Sequence, residues 1–216
     1  MPLIRKDSSA PTAPQAATAP SDAHGLTQGS ASERRATARA LGANPDEIEA
    51  LGQALASEAD PHVRGAIFTS LVRHAGPASV AAILPHLRSD DANLRTGALD
   101  ALRAMPQAVE PQLSALLGDA DSDVRLLACE IVRGLSPNYG TPLLTALLER
   151  ESEVNVCAAA IEVLAETGDA DALPALSRCA ERFANEPFLV FSVKVASDRI
   201  RAEGSAEISD GAGASG

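Results

Sequence analysis

Apolar residues along this chain return at a fixed interval. Laid over one another, Asp60-Pro61-His62-Val63-Arg64, Asp91-Ala92-Asn93-Leu94-Arg95 and Asp121-Ser122-Asp123-Val124-Arg125 align at a period of about 30 residues. A degenerate copy precedes them at Glu33-Arg34, and another follows at Glu153-Val154-Asn155-Val156-Cys157. The apolar slot therefore reads Glu33, Val63, Leu94, Val124 and Val156, in steps of 30, 31, 30 and 32. Eight positions after each slot stand Leu41, Leu71, Leu102, Val132 and Leu164, a spacing that puts both ends on one helix face.

A second amphipathic stretch lies ahead of each aspartate: Ile48, Leu51 and Leu55; Val80, Leu84 and Leu87; Val109, Leu113 and Leu116; Leu144, Leu147 and Leu148. Between the stretches come breakers, at Asn44-Pro45, Gly76-Pro77, Met105-Pro106, Ser136-Pro137 and Gly168. The pattern predicts an all-α fold: an α-solenoid of about five two-helix repeats led by a half-repeat, over residues 31–202. Residues 1–30 and 203–216, rich in Ser, Ala, Pro and Gly, read as disordered tails. The last unit departs from the pattern and gathers Phe183, Phe188 and Phe191, which suits a terminal cap.

The motif Asp-x-x-apolar-Arg, followed by Leu or Val eight positions on, resembles the HEAT repeat, in the short form also seen in phycobilin lyases. The resemblance covers about Ser32 to Ile200. It implies scaffolds, adaptors, transport factors and a few enzymes, and an Asp-Arg ladder that ties adjoining repeats. From the residues themselves, Asp60, Asp91 and Asp121 stand where a carboxylate caps free amides at a helix start. Arg64, Arg95 and Arg125 follow within the first turn, ready to pair with an aspartate of the same or the next repeat; Cys157 replaces the arginine in the fourth copy, where the ladder should end.

Composition narrows the function. The net charge of −11 and a pI near 4.8 disfavour nucleic acid and anionic membranes. Aromatic residues make up only 2%, with Tyr139 the single tyrosine, so the core is aliphatic and little is available to stack on a large π-system. Cys129, Cys157 and Cys179 fall in apolar helical patterns without metal-ligand spacing and read as buried thiols of a cytoplasmic protein. His24, His62, His74 and His86 are not followed by glutamate, which removes the paired His-Glu ligands of the di-iron enzymes of this repeat class. No glycine-rich phosphate cradle occurs, and no metal, cofactor or catalytic residue is expected.

Six positions after the slot come Arg39, Thr69, Asp100, Glu130 and Glu162. Asp100, Glu130 and Glu162 are candidates for an acidic stripe on the concave face, suited to a basic segment of a partner protein. Leu3-Ile4-Arg5-Lys6, on a long tether, is a candidate docking element. A non-enzymatic adaptor follows as the expected function, in a bacterial signalling or regulatory complex. The alternative is a phycobilin-lyase-like protein that cradles a tetrapyrrole; Arg34, Arg35 and Arg39 would be the face of a nucleic-acid helper. Oligomeric state is left open.

Overall fold

The computed structural model describes residues 23–213, with side chains through residue 204. Eleven α-helices and no strand occur among the described residues. In chain order they are α1 (Ala31–Leu41), α2 (Ile48–Ser57), α3 (Pro61–His74), α4 (Pro77–Ile83), α5 (Ala92–Arg103), α6 (Pro106–Leu116), α7 (Ser122–Val132), α8 (Pro137–Arg150), α9 (Val154–Thr167), α10 (Leu173–Arg182) and α11 (Pro187–Gly213). The half-repeat is α1, and the five pairs run from α2/α3 to α10/α11, the organisation that the period predicts.

Odd-numbered helices form one layer and even-numbered helices the other. The odd helices touch in unbroken succession from α1 to α11, whereas α6 and α8 make little contact. Between the layers sit the residues of the slot and those eight positions on: Val63, Leu71, Leu102, Val124, Val132, Val156 and Leu164 are at most 1% exposed. Glu33 is the exception. It faces solvent and closes a capping box, accepting from the Ser30 amide at 2.7 Å while Ser30 Oγ accepts from its own amide at 3.3 Å.

The predicted breakers act as starters. Pro77, Pro106 and Pro137 each occupy the first turn of an even helix, where a missing N–H costs nothing. Pro85 does break: without an amide hydrogen it ends α4, and the chain continues as a 3-10 turn over Leu84–Arg88.

Small residues let the layers approach. A methyl group on Gly42, at the end of α1, would lie 2.5 Å from the Cβ and 3.1 Å from the Cα of Ser70 in α3, whose hydroxyl donates to the Ala38 carbonyl at 2.9 Å. Gly97 of α5 likewise leaves room for the Phe68 ring, the one phenylalanine in the core.

Two boundaries differ from the expectation. A 3-10 turn over Ala23–Leu26 buries Leu26 against α1 and α2, so the packed chain begins ahead of residue 31, because that apolar end of the array needs a cover. At the other end the last buried residue is Ile200, close to the predicted limit, but α11 continues to Gly213. Leu3, Ile4, Arg5 and Lys6 lie outside the described residues. No described helix is long and apolar enough to cross a membrane.

Candidate functional site

The first four of the five even-to-odd connections share one device. A polar residue two positions before the cap accepts from the cap's amide: Glu58 from Asp60 at 2.8 Å, Ser89 from Asp91 at 3.2 Å, Asp119 from Asp121 at 3.0 Å and Glu151 from Glu153 at 3.0 Å. The aspartates then cap as predicted, Asp60 onto His62 and Val63, Asp91 onto Asn93 and Leu94, Asp121 onto Asp123. The arginine of each copy turns back to the carbonyl six residues earlier: Arg64 to Glu58, Arg95 to Ser89 and Arg125 to Asp119.

Ion pairs between repeats depart from a strict Asp-Arg ladder. Arg64 does meet Asp91 of the next copy. Arg34 and Arg125 instead grip Glu58 and Glu151 as bidentate forks, both at 2.7 and 3.0 Å. Among the described residues Arg95 pairs with no carboxylate, and Arg88 takes Asp119. The glutamates at these joints were not singled out from sequence, since only their position two before the cap marks them. At Cys157 the ladder changes donor: the thiol lies 3.9 Å from the Glu151 carbonyl, and Arg182 of α10 reaches the same oxygen at 3.1 Å.

These joints fix what the odd helices present outward. Asp100 and Glu162 are exposed on α5 and α9, and Glu130 is half-buried on α7. Arg133 binds the stripe together, holding Glu130 through two hydrogen bonds of 3.0 and 3.1 Å, Glu162 at 3.7 Å, and Glu166. The Arg133 hydrogen bond holds the Glu166 carboxyl below the usual carboxylate range, and its acidic partners raise Arg133 in turn. Asp100 stands outside this cluster. Arg34, named with Arg35 and Arg39 from sequence, is bound to Glu58 and leaves that group.

Beside Glu162 and Glu166 an open groove of about 400 Å³ runs between α9 and α11. Ile161 of α9 and Phe188, Phe191 and Val195 of α11 line it, with Arg199 among the charged residues at its edge. Phe188, Phe191 and Val195 are 70%, 64% and 40% exposed, and with Val190 they are the large apolar side chains left in water among the described residues. The terminal cap is thus apolar on two faces. Leu189, Val193, Ala196 and Ile200 face the core, while Phe188, Phe191 and Val195 repeat the helical spacing on a second face. That doubled stripe was the signal for the groove in the sequence.

With the geometry in place, a family model described as HEAT repeats matches residues 24–103 and 109–186. The chain belongs to the HEAT-repeat family. No curated protein matches it. Among solved structures, this HEAT-repeat chain is similar to an engineered protein at 18% identity, covering 83% of this chain and 95% of that one with a TM-score of 0.42. It is also similar to the complex of CpcE and CpcF of phycocyanin lyase from Nostoc sp. PCC7120, at 17% identity and a TM-score of 0.37, over 92% of this chain and 100% of that one.

Proposed function

We propose that this HEAT-repeat chain is a non-enzymatic adaptor that binds a partner protein across the outward face of its odd helices. The α9–α11 groove is the apolar anchor, and Asp100, Glu130 and Glu162 are the acidic track for a basic segment. The observation that carries the reading is the exposure of Phe188, Phe191 and Val195 beside Glu162 and Glu166. Aromatic side chains kept in water at one place, rimmed by charge, are what an interface hot spot requires. A nucleophilic role for Cys129 is opposed by chemistry: it is buried and its pKa is pushed up to about 12 by desolvation. Three buried free thiols suit the cytoplasm, and a bacterial signalling or regulatory complex is the setting we assign.

The test is affinity purification of tagged chain from its own cells, comparing wild type with Phe188→Asp/Phe191→Asp and with Asp100→Lys/Glu130→Lys/Glu162→Lys. Circular dichroism checks that each variant keeps its helices. Loss of the same co-purifying protein in both variants is the expected result, and undiminished recovery in both overturns the reading.

A further inference from the structure

The outward face is electrically divided. Its positions lie two, six, nine and ten residues after each slot, opposite the buried ones. On α1 and α3 those positions hold Arg35, Arg39 and Arg73 and no carboxylate. All three arginines are exposed, and none joins an ion pair among the described residues. On α5 and α7 the signs are mixed, with Asp100 near Arg103 and Glu130 held by Arg133. On α9 the positions hold Glu162 and Glu166 and no base, the single Arg133 of α7 pairing with both, and the groove that follows is apolar apart from these glutamates, Ser192 and Arg199.

In a chain of net charge −11, three unpaired arginines gathered at one end of one face call for an anionic ligand. The acidic half of that face and the overall charge oppose a long polyanion such as a nucleic acid. A protein segment meets both halves, because its charge can change sign along its length. Odd helices pack about 8–10 Å apart, which sets α11 roughly 40–50 Å from α1. An extended segment of roughly 12–15 residues spans that distance.

We infer that the face takes its partner in one orientation: a segment whose acidic end lies over Arg35, Arg39 and Arg73, and whose apolar, basic end enters the α9–α11 groove. This rests on the adaptor reading and adds a second contact and a direction to it. Two weak contacts joined by a spacer of matching length gain affinity without any new contact, by effective concentration. A partner lacking either end loses that gain, and this is how the face discriminates.

The test uses three synthetic peptides and the full chain labelled with ¹⁵N, at low salt: an oligoglutamate, a short Leu/Lys amphipathic peptide, and the two joined by a Gly/Ser spacer. Oligoglutamate should shift amides of α1 and α3, and Arg35→Glu/Arg39→Glu/Arg73→Glu should abolish those shifts while Phe188→Asp/Phe191→Asp leaves them. The Leu/Lys peptide should behave in the opposite way. The joined peptide should bind at least about tenfold tighter than either half, and each variant should remove that gain.

If the Leu/Lys peptide binds at α9–α11 but oligoglutamate leaves α1 and α3 unmoved, the orientation is overturned and the adaptor reading stands. If the Leu/Lys peptide fails at the groove, the anchor itself fails. A single-stranded oligonucleotide that binds α1 and α3 more tightly than oligoglutamate overturns the acidic segment as occupant. So does concentration-dependent broadening of the same amides without peptide, which would assign the face to a second copy.

Discussion

Arg182 donates to the carbonyl of Glu151, the oxygen that corresponds to those served in earlier copies by an arginine of the same repeat. The replacement of that arginine by Cys157 is thus met from the neighbouring unit, and α10 is fastened to the α8–α9 joint. Arg182 also reaches the Leu148 carbonyl and lies 5.0 Å from the centroid of the Phe183 ring. Arg182→Ala should cost about 1 kcal/mol, concentrated in the last unit. Hydrogen exchange should show α10 and α11 losing protection while α3 keeps its own.

The two forks should govern acid stability. Hydrogen bonds from Arg34 hold Glu58 below its usual value of 4.5; for Glu151 burial acts upward, and the Arg125 fork with the Ser152 and Glu153 amides outweighs it. Folded pKa values below the unfolded ones contribute stability that is present above about pH 4.5 and lost as the pH falls through the folded values. Melting temperature should fall steeply below that pH in the wild type and less in Glu58→Gln/Glu151→Gln, which starts lower. Removing only one partner, as in Glu151→Ala, should cost about 3 kcal/mol at neutral pH, since Arg125 is left unpaired in a mostly buried site.

Gly42→Ala should destabilise by about 2 kcal/mol despite the better helix former, because its methyl group meets the backbone of α3 and not merely a movable side-chain tip. Denaturant unfolding measures this. Should Gly42→Ala prove neutral, the close approach of α1 and α3 at Ser70 is wrong.

Ala75 ends α3 in the left-handed region, at φ 42 and ψ 38. A side chain there is strained, and glycine relieves it, so Ala75→Gly should raise stability by about 1 kcal/mol in the same measurement.

A water-soluble aromatic disulfide reagent should find no reactive thiol in the native chain and three after denaturation, since Cys129, Cys157 and Cys179 are each fully buried. Rapid reaction of any one in the native state would contradict this packing.

The sequence by itself determined the repeat. A period near 30 with apolar residues at helical spacing can bury itself only by stacking pairs of helices, so helix number, layer assignment and caps were readable from Val63, Leu71, Asp60 and their counterparts. Asp100, Glu130 and Glu162 fell on one face for the same reason, since a fixed offset from a buried slot fixes direction around a helix. What only the tertiary structure decided were relations across the period. Arg125 chooses Glu151 over an aspartate, Arg133 draws in Glu130, Glu162 and Glu166, and Arg182 serves the carbonyl beside Cys157. Long side chains reach whichever acceptor the stacking of helices brings near, and that stacking is set by contacts such as Gly42 on Ser70 that no local pattern encodes. The terminal phenylalanines show the same division. Their spacing was visible, but that Leu189 is buried and Phe188 stands in water follows from which face of α11 packs against α9 and α10.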